Sequence, residues 1–248
     1  GVLHTLQESE DEGHSHVERR ELALNAANLL EADAQDVENR IDALMNEGEL
    51  VTSKLDWVQH PNAARAEETL VRCLKNQSQA ASSLPPIQVE KAIIWAQEKA
   101  GFSFADQQAE AVRQALQSKI SILTGGPGTG KTTILRALVS ILRAKKTKIL
   151  LAAPTGRAAR RMAESCSHFA QTVHRLLKFD PSQGGFTMNE QNPLTCDFVI
   201  MDEASMLDLR LAAALIRSIP PKAHLLLVGD ADQLPSVGSG NVLKDLIQ

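Results

Sequence analysis

Three features of the sequence predict an α/β fold in which helices cover a parallel sheet, preceded by a mainly helical region. The first is residues 120–133, where an apolar run with Ile120 and Ile122 breaks into Gly125, Gly126, Gly128 and Gly130. A Leu- and Ala-rich helical pattern then runs to Arg143. The second is a set of further short apolar runs, at 149–153, 198–201 and 224–228, with helical spacing between them and polar or turn residues at their carboxyl ends. The third is the stretch before residue 100, where helical periodicity dominates and only one brief strand is read. Strands alternating with helices are joined by crossovers, which make the strands parallel and leave ligand sites along their carboxyl edge.

The totals set the frame. At 248 residues the chain can bury two ordinary cores. Its net charge of -4 conceals an asymmetry: residues 1–50 hold 13 Asp and Glu against 3 Lys and Arg, so the remainder carries a positive excess. A modest positive excess suits a polyanionic ligand. Cys73, Cys166 and Cys196 are far apart, with no spacing for zinc or a disulfide framework, which points to a reducing, cytoplasmic setting. No apolar run approaches the roughly 18 residues needed to cross a bilayer, so no membrane partner is expected. The chain opens Gly-Val-Leu and stops inside an apparent helix at 242–248, and is read as a piece of a longer protein.

Taken in order, residues 18–30 and 36–47 have helical apolar spacing after an acidic lead-in, with Asp33 or Asp36 as the N-cap and Gly48 beyond the second helix. Residues 49–52 form a brief strand. Two helices and a strand resemble a winged-helix module over about 1–55, and the acidic surface favours a protein partner there over nucleic acid. Residues 56–100 are a helical connector: a helix at 62–74, a loop over 76–86 ended by Pro85 and Pro86, and a helix at 87–100 in which Ile93, Ile94 and Ala96–Ala100 supply apolar contacts and Trp95 is read as core rather than as a base-stacking platform. Residues 101–248 form the second region. It starts with an amphipathic helix at 104–116 bearing Gln107 and Gln108, and Lys145–Lys148 reads as a solvated helix end. Helices at 157–165 and 172–178 follow, the latter capped by Thr172, then a loop or small hairpin over 180–193.

The spacing Gly125 to Gly130, Lys131, Thr132 fits the phosphate-loop pattern, and the chemistry requires those residue types. Glycines allow torsions that turn consecutive N–H groups around a polyphosphate, here offered by Gly126, Gly128, Thr129 and Gly130. The following helix contributes its positive end through Thr132 and Thr133. Lys131 can reach β- and γ-phosphates and the Thr132 hydroxyl can hold Mg²⁺, which makes ATP and Mg²⁺ the expected ligands. Asp202, after four apolar strand residues, is placed to hold the same ion, and Glu203 to take a proton from an attacking water.

Five motifs together resemble superfamily 1 DNA helicases of the RecD-like group: residues 125–133, Ala-Pro-Thr-Gly-Arg-Ala-Ala at 153–159, Thr-Val-His-Arg-Leu-Leu at 172–177, Val-Ile-Met-Asp-Glu-Ala-Ser-Met-Leu-Asp at 199–208, and 227–240. They occur in that family's order, from about Phe104 onward, and the N-terminal hundred residues look more like the stand-alone members than the exonuclease V α subunit. The resemblance implies a RecA-like P-loop NTPase lobe. It places Gln108 at the adenine edge, with an ordinary surface glutamine as the other reading. Gln233 becomes a γ-phosphate sensor and Asp230 an organiser of the sheet edge. Pro154, Thr155, Gly156, Arg157, Thr172 and His174 fall at single-stranded DNA, where donors hold phosphates without reading sequence; for His174 a buried histidine fixing a helix is equally open. The candidates for base stacking are Phe169, Phe179 and Phe186.

In that family a second lobe supplies the arginine finger, a contribution of roughly 10³–10⁵ in rate, so residues 1–248 alone are expected to turn over ATP very slowly. The parent implied by the resemblance moves 5′ to 3′ on single-stranded DNA and separates strands, in repair and recombination. Two other functions stay open: a phosphate-loop ATPase acting as a protein-assembly switch or loader, and an interaction module joined to a degenerate nucleotide fold.

Overall fold

The computed structural model describes residues 1–53, 55–233 and 238–247. Residues 234–237 of the last motif and Gln248 of the last helix read from sequence therefore lie outside the described residues.

The amino-terminal unit consists of helix α1 (Val2–Asp11), strand β1 (Val17–Glu18), helices α2 (Arg19–Leu30) and α3 (Ala34–Asn46), and strands β2 (Val51–Thr52) and β3 (Trp57–Gln59). The strands pair antiparallel in the order β1-β3-β2. Asp33 caps α3 by accepting from the Gln35 N–H at 2.8 Å. Leu6, Leu22, Ile41, Leu50 and Val58 close a core of their own. The acidic lead-in is a helix, α1, that the sequence pattern does not signal. Its buried positions Val2, Thr5, Leu6 and Glu10 keep helical spacing, but two of the four are polar.

Two connecting helices follow, α4 (Pro61–Gln79) and α5 (Val89–Ala100). The expected loop over 76–86 begins later, because α4 continues to Gln79. The cause is tertiary: Gln77 is 3% exposed and its Nε2 donates to the Ala223 carbonyl at 3.0 Å. On α5, Ile93 and Ala96 are buried, whereas Ile94 and Trp95 are exposed and not core residues as expected. They point away from the face that α5 lays on its neighbours, and the Lys99 ammonium sits 4.9 Å from the Trp95 ring.

Helix α6 (Asp106–Gln117) leads into β4 (Ile120–Thr124), α7 (Lys131–Ala144), β5 (Ile149–Ala153), α8 (Gly156–Cys166), β6 (Ala170–Thr172) and α9 (Val173–Leu176). A small hairpin of β7 (Phe179–Asp180) and β8 (Gly185–Phe186) precedes β9 (Phe198–Met201), α10 (Leu209–Ser218), β10 (His224–Gly229) and α11 (Val242–Ile247). The large sheet has the order β4-β10-β9-β5-β6, and its pairs are all parallel. Strand residues alternate between two apolar layers: Phe198 and Ile200 pack with α7 on one face, Val199 and Met201 with α10 on the other. Ala63 and Leu70 of α4 join the α10 layer, and Ile93 and Ala96 of α5 join the α7 layer. The result is the three-layer α/β arrangement of a RecA-like lobe. Strand β6 was not expected from sequence; its Ala-Gln-Thr is too short and polar to signal a strand, and it forms by pairing with the open edge of β5.

The end of the sheet opposite the carboxyl edge is tied by His224, which is 2% exposed. Its Nδ1 donates to the Ser118 carbonyl at 2.8 Å, and its Nε2 accepts from the Ser82 hydroxyl at 2.7 Å, a neutral tautomer. Burial pushes its pKa below the ordinary histidine value, helped by the nearby Lys119 charge. With the folded pKa depressed, the stability held by neutral His224 is complete above the unfolded value of about 6.5 and is lost as pH falls below it through the folded pKa. The urea midpoint is therefore expected to drop between pH 7.5 and pH 5.5, and a His224→Asn variant is expected to show a smaller drop. Equal drops in the two proteins would contradict this.

Candidate functional site: a phosphate-loop cleft beside a strand-end surface

The carboxyl ends of the five strands divide into two neighbouring groups. Strands β4, β9 and β10 end at the loop 125–130, at Asp202 and at Asp230; β5 and β6 end at 154–157 and at Thr172. The sheet order itself sets the phosphate loop and the two acidic strand ends beside the strand ends at 154–157 and Thr172.

The loop after β4 has the torsions that its glycines were read to need. Gly130 has φ +88°, and a Cβ there would run into the Gln108 side-chain amide. Gly125 has φ +155°, and a Cβ would lie 2.7 Å from Thr129 Oγ1. Thr129 donates to the Gly126 carbonyl at 2.9 Å, which closes the loop on itself. The Lys131 ammonium, at the start of α7, donates to the carbonyls of Gly125 and of Gly126, the latter at 2.8 Å.

Lys131, Thr132, Asp202, Glu203, Asp230 and Gln233 line one cleft of about 530 Å³ with Gly126, Gly128, Thr129 and Gly130. Lys131 and Asp202 therefore share a face, as a common ion-bridged ligand requires. Asp202 is fixed at the end of β9 by its N–H to the Ala152 carbonyl at 2.9 Å, and its Oδ1 accepts from the Glu203 N–H at 2.9 Å. Burial pushes the Asp202 carboxyl up from the usual range, opposed by that N–H and by the Arg161 and Lys131 charges. Glu203 has φ 52°, a left-handed backbone unusual for a residue with a side chain. Gln233 is held by the Ser205 hydroxyl, which donates to its Oε1 at 3.3 Å, and buried Asp230 accepts from the Asp232 N–H at 3.1 Å.

Gln108 and Thr133, expected from sequence at the nucleotide, are not among the residues lining this cleft. Gln108 accepts from the Ala105 N–H at 3.2 Å and rests over Gly130. Thr133 lines a neighbouring pocket of about 110 Å³ with Phe102, Phe104 and Arg136. The sequence reading also missed Arg161, which lines the cleft and forms an ion pair with Glu203. Its signal was faint: an arginine four residues, hence one helical turn, after Arg157.

Of the strand-end residues, Thr155, Gly156 and Arg157 are exposed and Pro154 and Thr172 half-buried. The two threonines cap helices: Thr155 Oγ1 accepts from the Ala158 N–H at 3.2 Å, and Thr172 Oγ1 from the Arg175 N–H at 3.3 Å. Each hydroxyl keeps its own proton to donate. His174 is exposed, which removes the buried-histidine alternative, and its ring lies 6.1 Å from Phe179 and 5.7 Å from Phe186 on the hairpin. Phe169 is 74% exposed.

The cleft offers hard oxygen donors, among them the Thr132 hydroxyl at the phosphate loop and the Asp202 carboxylate at the end of β9, and these fit Mg²⁺, which keeps several waters and needs few protein ligands. Among the described residues no group of three His, Cys, Asp or Glu side chains is placed to hold a metal ion. Among them, too, no helix is long and apolar enough to cross a membrane.

A model of the AAA domain family matches residues 108–239, more than half of the chain. The ATP-dependent RecD2 DNA helicase of Deinococcus radiodurans is 38% identical over 189 residues, covering 76% of this chain and 26% of that protein. The RecBCD enzyme subunit RecD of Mycobacterium tuberculosis is 40% identical over 165 residues, covering 57% of this chain and 28% of that subunit. The RecD subunit of Haemophilus influenzae is 40% identical over 167 residues, covering 58% and 26%. The chain spans about a quarter of the length of these curated relatives. On the family match, and with the motifs gathered at one sheet edge, the chain belongs to the AAA domain family, and the curated proteins it resembles are RecD and RecD2.

Proposed function

We propose that this chain is the nucleotide-hydrolysing part of a DNA helicase that couples ATP turnover to movement along single-stranded DNA. One observation carries the reading: Lys131, Thr132, Asp202, Glu203 and Gln233 line a single cleft, and the strand-end residues 154–157 and 172–174 lie on the same edge of the same sheet. Lys131 leaves the loop carbonyls for the β- and γ-phosphates of ATP, and the N–H groups of the loop and of the start of α7 hold the remaining oxygens. Thr132 and Asp202 would hold Mg²⁺, which when bound neutralises charge developing on the phosphates. Glu203 accepts the proton of the attacking water, and Gln233 reports the γ-phosphate to the sheet edge. Gln108, against Gly130, and Thr133 are proposed to meet the base end of the nucleotide.

The nucleic-acid side follows from exposure. Thr155, Arg157, Thr172 and His174 offer hydroxyl, guanidinium and imidazole donors to phosphates, and Phe169 and Phe179 offer exposed rings for stacking. In this reading residues 101–248 carry both sites, and residues 1–100 carry neither. The acidic unit 1–50 is left for a protein partner. The 5′ to 3′ direction and the separation of strands rest on the resemblance to RecD-like helicases.

ATP turnover by the full-length protein is expected to rise when single-stranded DNA is added. An Arg157→Ala variant is expected to weaken oligo-dT binding and to lower the salt slope by about one, the signature of one lost phosphate contact. Intact nucleotide binding with no single-strand affinity would favour the assembly switch instead.

A further inference from the structure

The helix that opens at the strand-contacting segment also reaches the hydrolytic carboxylate. Arg161 lies one turn beyond Arg157 on α8, an axial rise of about 6 Å, and so shares its flank. Its guanidinium pairs with the Glu203 carboxylate. The two ends of the pair differ: the Arg161 side chain is 69% exposed and that of Glu203 25%. The backbone holds Glu203 in place, because its N–H donates to Asp202 and its carbonyl accepts from the Met206 N–H at 3.0 Å. Of the two partners, Arg161 is the one able to move.

We propose that Arg161 is a positioning residue that couples single-strand binding to hydrolysis. With no strand bound it occupies the Glu203 carboxylate and keeps it from taking the proton of water. A DNA phosphate arriving at the amino end of α8 draws the guanidinium away and frees the base. The chemistry is competition between two anions for one fork: a carboxylate engaged by the guanidinium has its oxygens occupied and turned from the water, and a phosphodiester is an equally suitable partner for arginine. An ion pair whose guanidinium end is largely exposed to solvent is weak enough for one phosphate contact to displace it. This inference rests on Glu203 being the general base, as proposed above.

In the full-length protein, Arg161→Ala is expected to raise DNA-free ATP turnover about two- to five-fold, the size of one exposed ion pair. The ratio of oligo-dT-stimulated to DNA-free turnover falls by at least that factor, and Arg161→Lys, which keeps the charge, restores part of it. A second readout needs no hydrolysis. By linkage, Glu203→Ala releases Arg161 to the phosphates and tightens binding of fluorescein-labelled oligo-dT, read by anisotropy without nucleotide, by a similar factor of about two to five. The gain disappears when Arg161→Ala is added. An unchanged stimulation ratio in Arg161→Ala, or an oligo-dT affinity that Glu203→Ala leaves untouched, overturns the coupling. Undiminished turnover by Glu203→Gln would instead overturn the general-base reading, whatever the ratio does.

Discussion

Substituting Lys131→Ala in the full-length protein is expected to lower ATP turnover by about 10²–10³-fold or more, with nucleotide affinity reduced as well. The ammonium already rests inside the loop, on the carbonyls of Gly125 and Gly126, so it is delivered to the phosphates without reorganising the backbone. Arg161, also a cleft cation, is engaged with Glu203. Lys131 is half-buried and its removal opens no apolar core, so the thermal midpoint should stay near that of the parent. Steady-state hydrolysis and fluorescent-nucleotide titration test this together, and turnover within tenfold of the parent would defeat the phosphate-loop assignment.

The second large effect separates chemistry from binding. Glu203→Gln is expected to lower kcat by about 10²–10⁴-fold, because an amide cannot accept the proton of the attacking water. Nucleotide affinity stays close to that of the parent, since Lys131, Thr132 and Asp202 are untouched. The isosteric amide also keeps the side-chain volume and the backbone contacts that place it. A comparable loss of nucleotide binding would assign Glu203 to the binding set and leave the proton without an acceptor. Single-turnover hydrolysis with saturating ATP distinguishes the two.

The parts of this molecule legible in the sequence are those where local chemistry and the long-range fold ask for the same residues. The phosphate loop needs glycines at positive φ, and a Cβ at Gly130 would strike Gln108, so the pattern and the tertiary requirement coincide. The strands β5 and β9 were readable because apolar residues serve both of their faces. Helix α1 was not, because two of its four buried positions are polar, one of them Glu10, whose Oε2 accepts from Arg210 at 3.4 Å, two hundred positions away. Trp95 was misjudged for the converse reason. Periodicity places it on a helix but does not say which neighbours cover which flank, and this one is left partly open, with Trp95 38% and Ile94 54% exposed.

By itself the sequence determined the chemistry on offer, namely an ammonium, a hydroxyl, two adjacent carboxylates and a glycine loop, together with the alternation that makes a parallel sheet. Those are local properties, set by residue type and spacing within one strand, loop and helix. Only the tertiary structure decided the strand order β4-β10-β9-β5-β6, which brings Asp202 to Lys131, sets residues 154–157 beside them, and lets Arg161 reach Glu203. The physical reason is that strand order comes from burying both faces of the sheet under helices distant in sequence, a balance over the whole core that no single segment contains.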